Sequence, residues 1–215
     1  QCRAFDVSHI EESSCDLAKY NELSEAPLLD ALRQRFFKLQ PYTYVADIII
    51  AVNPYKMYPH VTTLRHPLKR FKIGKNPHVW ATADFAYNAM LSSKRDDKGK
   101  FVEQAVIISG ESGAGKTISS NNVMMYLTHL SEETSRAYSR YRGRKSSIAE
   151  MCIETKVLAC NPFLEAFGNA QTTRNDNSSR FGRYTKIIFN NGRILGAKMN
   201  QYLLEKSRVI HQMEG

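Results

Sequence analysis

Long apolar runs are missing from this sequence. None approaches the roughly 18 consecutive residues that a membrane-spanning helix needs. Cysteine is sparse: Cys2, Cys15, Cys152 and Cys160 are the whole set. Their spacing matches neither a CxxC metal pair nor a dense disulfide framework, so thiols in a reducing cytosol are expected. The six histidines are scattered, and none pairs with another ligand at metal spacing. The opening residues, Gln1-Cys2-Arg3-Ala4-Phe5-Asp6, lack a signal peptide's basic and apolar regions. An initiator Met is also missing, which predicts a piece of a longer protein. Acid is in short supply: 30 Lys and Arg face 21 Asp and Glu, a formal charge of +9. Much of the excess sits in Arg65, Lys69, Arg70, Lys72 and Lys75, and in Arg136, Arg140, Arg142, Arg144 and Lys145. Such a balance suits anionic partners, although solvated faces are the commoner use of it. No RNA-binding aromatic motif or zinc finger supports nucleic acid.

What is present is ordinary globular material. The 215 residues are 42% hydrophobic and 24% charged, enough to bury a core. Residues 1–23 carry little periodicity and read as a surface lead-in. Ser24 can cap a helix running to about Leu39, with Leu28, Leu29, Leu32, Phe36 and Leu39 at helical spacing. Residues 44–52 are β-rich, and Ile48-Ile49-Ile50-Ala51-Val52 reads as a central strand ended by Asn53-Pro54. A Pro-rich loop covers 54–67. Asn76-Pro77 opens a second helix with a stripe of Val79, Ala83, Ala86 and Met90. Residues 94–100 read as a polar turn.

The centre of the sequence carries the strongest signal. Gly110-Glu111-Ser112-Gly113-Ala114-Gly115-Lys116-Thr117 fits the phosphate-binding pattern G-x-x-x-x-G-K-[ST] at every fixed position. From average residue usage, chance would produce it in under about one percent of chains this long. The run at 104–109 before it reads as a buried strand, and 118–130 after it as a helix. The glycines let backbone N–H groups turn toward phosphate oxygens, and a helix N-terminus adds positive partial charge. Lys116 can reach β and γ phosphates, and the Thr117 hydroxyl can hold Mg²⁺. This establishes nucleotide binding as the expectation, without fixing the reaction.

Beyond it, 131–146 reads as an exposed, Arg-rich mobile loop. Ser147 with Glu150 fits a capping box for a helix to about Cys160, ended by Asn161-Pro162. Residues 181–190 and 193–201 read as strands joined by a tight turn at Asn191-Gly192. Strands alternating with helices, then a hairpin, argue an α/β domain with a mixed sheet. The loops that start at Asn53 and Gly110 both follow strands, so both are expected on the ligand-binding edge.

The segment 161–182, NPFLEAFGNAQTTRNDNSSRFG, is rich in amides, hydroxyls and arginines. Most such stretches are turns. These groups can also close over a γ-phosphate and complete a Mg²⁺ shell, because phosphoryl transfer depends on positioning and charge. This segment resembles switch I of the myosin motor, and GESGAGKT is similar letter for letter to the myosin phosphate loop. Ile49-Ile50-Ala51-Val52-Asn53-Pro54-Tyr55-Lys56 resembles the strand and base-side loop of myosins. Pro77-His78-Val79-Trp80 through Ala86-Tyr87 resembles the helix before the phosphate loop. Tyr202-Leu203-Leu204-Glu205-Lys206-Ser207-Arg208-Val209-Ile210 resembles the strand and turn after switch I. Kinesins share a related loop and an N-x-x-S-S-R switch, but the NPYK block and the Phe-Gly after Arg180 favour myosin. The resemblance runs from about Asp16 to Gly215.

It implies a P-loop NTPase-type mixed sheet with flanking helices, an incomplete myosin head. The head would divide into a lead-in (1–23), strand and helix units through the phosphate loop (24–130), the basic loop (131–146), and helix, switch I and hairpin (147–215). It implies ATP and Mg²⁺ as ligands, and a cytoplasmic motor on actin filaments that reaches actin, light chains and cargo through other segments. Carried over by position, Gly110, Glu111, Ser112, Gly113, Ala114, Gly115, Lys116 and Thr117 would hold the phosphates. Thr117 and Ser179 would ligate Mg²⁺. Ser178 would touch the γ-phosphate and orient water, and Asn175 would contact phosphate oxygens. Arg180 would pair with a glutamate of switch II, and Asn53, Pro54, Tyr55 and Lys56 would border adenine. Met57 and Val61 stand where myosins usually have a basic residue and a tyrosine, with Tyr58 a candidate substitute. Switch II is absent, so Arg180 is expected to lack its partner and the site to stay open. The loop at 131–146 is expected to tune nucleotide release through its length and charge. Rival readings are a non-motor nucleotide-binding module and another P-loop ATPase or kinase.

Overall fold

The computed structural model describes residues 15–20, 24–56, 77–92, 102–141 and 153–210. The chain forms two compact units, residues 1–85 and 86–215.

In the first unit, a single 3₁₀ turn at Leu17–Lys19 precedes helix α1, Glu25–Phe37. Strands β1, Tyr42–Val45, and β2, Ile48–Ala51, follow as an antiparallel hairpin. Asp16 organises the entry to this hairpin. One of its carboxylate oxygens accepts from the backbone N–H of Ala18 at 3.1 Å and of Ala46 at 3.0 Å. Ala46 is held at φ 52°, the left-handed conformation that its two-residue turn requires. The helix turns Pro27, Ala31 and Arg35 inward. Arg35 is buried because both ends of its fork are satisfied: Nε donates to Thr43 Oγ1 at 2.9 Å and Nη2 to the Tyr42 carbonyl at 2.8 Å. This polar contact overrides the expected leucine stripe, and Leu29 is left 70% exposed. Residues 48–51 form one edge of a two-stranded hairpin, with Ile48 exposed, not a central strand. Tyr42, His78 and Trp80 supply the aromatic core, their rings meeting at 4.7 and 4.0 Å.

Helix α2, Val79–Ser92, begins two residues later than expected, where His78 Nδ1 accepts from the Trp80 N–H at 3.1 Å. Val79 and Ala83 of the expected stripe are buried, together with Trp80, Ala81 and Tyr87.

The second unit is built on α3, Lys116–Tyr141, and α4, Ile153–Gly168. Then come β3, Asn169–Thr172, β4, Asn175–Ser179, β5, Gly182–Asn190, β6, Arg193–Tyr202, and a short α5, Lys206–Ile210. The four strands make two separate antiparallel hairpins, β3–β4 and β5–β6. Asn191 and Gly192 take φ 48° and 77°, as a tight turn demands, so the second hairpin matches its expectation. Both long helices contact β6.

Four expectations of local structure are corrected here, and the expected sheet is not seen. Residues 104–109 pair with no strand among the described residues, and Ile107 is 87% exposed. An apolar run marks a strand only when neighbours exist to take its backbone groups. Residues 131–141 continue α3 instead of forming a loop. Glu132 pairs with Arg136 one turn on, at 3.2 Å, and Ser131 Oγ accepts the Ile194 N–H at 2.9 Å. The helix α4 runs through Asn161-Pro162 to Gly168, with Pro162 inside it. Most of the polar stretch that follows is the β3–β4 hairpin, not an irregular loop. The P-loop-type mixed sheet does not appear among the described residues, whose sheets are three antiparallel pairs. Cys152, Met57, Tyr58, Val61, Asn76, Ser147, Glu150, the basic residues 65–75 and 142–145, and the turn at 94–100 lie outside the described residues.

The tip of the β5–β6 hairpin is clamped to two helices. Tyr87 Oη donates to the Gly192 carbonyl at 2.7 Å and shares a hydrogen bond with Thr134 Oγ1 at 3.1 Å. Its ring meets Phe189 edge-on at 5.7 Å. A side chain at Gly192 would place Cβ 2.6 Å from Tyr87 Oη, on a residue whose φ is already positive. Gly192→Ala is therefore expected to lower stability by about 1–3 kcal/mol. A urea titration reads this directly, and an unchanged midpoint would contradict the clamp.

Candidate functional site

The phosphate-pattern loop precedes α3 in an open conformation that only glycine supplies at low cost. Gly113 and Gly115 have φ 78° and 90°. A turn closes from Ala114 N to the Glu111 carbonyl at 3.2 Å, and Ser119 N bonds the Gly115 carbonyl at 2.9 Å, opening the helix. No acidic residue occupies the first turn of α3. The positive end of the helix is thus uncompensated, as an anion site requires. Lys116 curls over the loop, where its Nζ donates to the carbonyls of Gly110 at 2.7 Å and Glu111 at 2.8 Å.

The β3–β4 hairpin comes to this loop. Ser112 Oγ shares a hydrogen bond with Ser178 Oγ at 2.7 Å and another with Thr172 Oγ1 at 3.2 Å. Ser178 is only 4% exposed, so its hydroxyl sits inside this junction. Arg174, in the hairpin turn, pairs with the Glu111 carboxylate of the phosphate loop. Thr117 and Ser179 line one cavity of about 1350 Å³ in this unit, with Lys116, Ser120, Asn161 and Arg183 also on its wall.

Arg183 joins three elements beneath that wall. It donates to Asn161 Oδ1 at 2.8 Å and to Ser120 Oγ at 2.9 Å, while Asn161 donates to Asn121 Oδ1 at 2.9 Å. Burial pushes the Arg183 guanidinium down from its ordinary value. The Asn161 side chain is engaged through both its nitrogen and its oxygen, which ties this part of α4 to α3 and β5.

The expected site residues sort as follows. Ser112 of the 110–117 loop is hydrogen-bonded to Ser178, and Lys116, Thr117 and Ser179 line the same cavity. Asn175 is engaged inside its own hairpin, donating to the Asn177 carbonyl at 3.0 Å and accepting from Asn177 N at 3.3 Å. Asn53, Pro54, Tyr55 and Lys56 belong to the first unit. There Asn53 Oδ1 accepts from Tyr55 N at 3.0 Å, and Tyr55 sits at φ 50°. That is a local turn, which accounts for the asparagine without a ligand. Arg180 is a correction: it has a partner in this chain. Its Nε donates to Glu205 Oε2 at 2.8 Å, and its Nη2 reaches the same carboxylate. Arg174, Thr172 and Glu205 were missed. A basic residue at a polar hairpin turn and an acidic residue before Lys-Ser-Arg are signals too common to select them from sequence.

The donor set fits a polyphosphate with a hard cation. It offers one ammonium, loop amides and several hydroxyls, and Mg²⁺ takes oxygen ligands while keeping waters and phosphate oxygens in its shell. Among the described residues no group of three or more His, Cys, Asp or Glu could hold a metal.

Comparison with known proteins shows the family. Residues 14–215 match the family of the myosin head (motor domain). The chain is 40% identical to Myosin-4 of Saccharomyces cerevisiae over 95% of its own length and 13% of that protein. It is 42% identical to Myosin-15 of Arabidopsis thaliana over 91% of its length and 12% of the relative's. It is 43% identical to unconventional myosin-Vc of Homo sapiens over 93% of its length and 10% of the relative's. A phosphate-loop protein is the class these features define. The chain belongs to the myosin head family, and it spans about an eighth or less of the length of those relatives.

The Arg180–Glu205 pair has a pH signature. Hydrogen bonds from Arg180, then from Arg208 at 3.0 Å, hold the Glu205 carboxyl below its ordinary 4.5. A carboxylate depressed in the folded state stabilises it above the unfolded pKa, and that contribution disappears as pH falls through the folded value. The gap in urea midpoint between the native chain and Glu205→Gln is expected to be full at pH 7 and to close in acid below 4.5. A gap that persists unchanged into strong acid would mean the carboxylate charge is irrelevant.

Proposed function

We propose that this chain is the nucleotide-gripping portion of an actin-based motor that couples Mg-ATP hydrolysis to movement. The observation that carries the reading is the Ser112–Ser178 hydrogen bond, which joins the phosphate loop to the β3–β4 hairpin. In this reading the loop amides at 110–115 bind β and γ phosphate oxygens, and Lys116 leaves the carbonyls of Gly110 and Glu111 to pair with them. Thr117 and Ser179 provide the protein oxygens for Mg²⁺. Ser178 and Ser112 face the γ-phosphate, where a hydroxyl can orient the attacking water. Asn175 leaves its hairpin bonds to reach phosphate oxygens, and residues 53–56 border the base. A bound Mg²⁺ supplies charge neutralisation on the β and γ oxygens.

The fold proposal accompanies it. The exposed apolar run at 104–109 is the strand before the phosphate loop of a P-loop NTPase-type mixed sheet, and it pairs when the rest of a head is present. The exposure of Ile107 supports this, since a side chain of that size is normally interior. Actin, light chains and cargo belong to other segments of such a head, and the compartment is the cytoplasmic actin cytoskeleton.

Enclosing the γ-phosphate and placing water from both sides are what hydrolysis requires. The 215-residue chain alone is expected to bind Mg-ATP and to turn it over far more slowly than the roughly 10 s⁻¹ typical of enzymes. Titration with a fluorescent nucleotide tests the binding. Lys116→Ala is expected to weaken it at least about tenfold, a loss of about 1.4 kcal/mol. Absence of binding by the native chain at about 1 mM nucleotide would overturn the proposal.

A further inference from the structure

Arg180 follows the two serines that end β4, and three separate contacts fix it. Its backbone N–H donates to the Gly168 carbonyl at the end of α4, at 2.9 Å. Its carbonyl accepts from the backbone N–H of Glu205, also at 2.9 Å. Its guanidinium is held by the Glu205 carboxylate through Nε and Nη2. Glu205 therefore grips the same residue twice, by main chain and by side chain. The third arm of the guanidinium, Nη1, lies 3.4 Å from Ser178 Oγ and donates to it. Ser178 in turn bonds Ser112 in the phosphate loop.

These contacts form one continuous path: Arg208, Glu205, Arg180, Ser178, Ser112. Each step is a polar contact between groups that are no more than partly exposed, where charge-assisted hydrogen bonds are stronger than in open water. Glu205 is not part of the cavity lining to which Thr117 and Ser179 belong. It stands 25 residues along the chain from Arg180, at the start of α5. Its influence on the site must pass through Arg180.

We propose that Glu205 is a positioning residue of the nucleotide site, holding Arg180 so that Ser178 meets Ser112 and Ser179 faces Thr117's cavity. The inference rests on the nucleotide-binding reading above for its functional consequence, and on geometry alone for its structural one. The carboxylate does what a distant strut does. It sets the orientation of a guanidinium whose remaining donor fixes the rotamer of Ser178. Without the charge, Arg180 keeps its two main-chain bonds but loses its directed side chain. The end of β4 then moves between several arrangements instead of one. The hydroxyls stay present but cease to converge, which weakens the metal-dependent part of nucleotide affinity more than the phosphate-loop part.

Two measurements on the whole 215-residue chain test this. The first uses amide hydrogen exchange without nucleotide. Glu205→Gln, which preserves size and backbone, is expected to accelerate exchange of Ser178, Ser179 and Arg180 at least tenfold. Arg208→Gln, which leaves the Arg180 pair intact, is expected to stay within twofold at those amides. The exchanged pair, Arg180→Glu with Glu205→Arg, keeps an ion pair but has no donor for Ser178, so it is expected to exchange as fast as Glu205→Gln, and recovery of protection would overturn the proposal. Equal acceleration in both single variants would make the effect one of α5 folding and overturn the proposal, as would no acceleration in Glu205→Gln. The second measures ATP affinity with Mg²⁺ and with chelator. Glu205→Gln is expected to reduce the magnesium-dependent gain at least fivefold and to leave the metal-free affinity within twofold. A native chain that binds no nucleotide refutes the functional reading while the exchange result still decides the structural one. A native chain that binds normally, with Glu205→Gln unchanged in both measurements, refutes the positioning role alone.

Discussion

The hydrogen bond between Ser112 and Ser178 closes 66 residues of chain into a single site. One hydroxyl belongs to a glycine loop whose shape is set by φ 78° and 90° at Gly113 and Gly115. The other belongs to a hairpin that would otherwise be a polar appendage at the end of α4. A neutral hydrogen bond contributes only about 1 kcal/mol net. Its leverage comes from what surrounds it: burial of Ser178, the second bond to Thr172, and the ion pair between Arg174 and Glu111. Each alone is modest. Together they leave the loop and the hairpin a single mutual register.

The supporting structure follows a division of labour. Apolar burial along α3, through Val123, Met124, Tyr126, Leu127 and Leu130, supplies the non-directional attraction. Polar groups then choose among the arrangements that burial alone would permit. Arg183 ties α3, α4 and β5 beneath the cavity, Tyr87 and Ser131 fix the hairpin tip, and Arg35 does the same for α1 and β1 in the first unit. Arg183, Tyr87 and Arg35 are long or aromatic side chains with their polar ends satisfied, so their burial carries little penalty.

How legible was this in the sequence? Local rules succeeded where one residue type decides the backbone. Asn191-Gly192 forces a tight hairpin, and Gly113 and Gly115 mark the phosphate loop. They failed where distant partners decide. Residues 104–109 have a strand's composition but no pairing neighbour among the described residues. Residues 131–141 read as loop because Ser, Thr and Arg dilute the periodicity, yet the Glu132–Arg136 pair and the back-bond from Ser135 Oγ to the Ser131 carbonyl at 2.9 Å accompany a continuing helix. Pro162 marked a helix end by rule, but the helix continues through it. Of the site, the phosphate loop and both serines were readable, from the pattern and from the resemblance. Glu205 was not, because its role depends on a side chain 25 positions away.

Two glycines near the site are filled from outside. A Cβ at Gly168 would lie 2.3 Å from the Phe181 ring, and one at Gly182 would lie 2.4 Å from the Tyr202 ring. Neither has a positive φ, so the backbone itself would accept alanine. What forbids alanine is an aromatic ring whose atoms already occupy the space of each Cβ. Glycine and ring therefore behave as a matched couple. A substitution at either glycine becomes tolerable only when its own aromatic shrinks at the same time, so variation at 168 is tied to 181, and at 182 to 202, independently of any ligand.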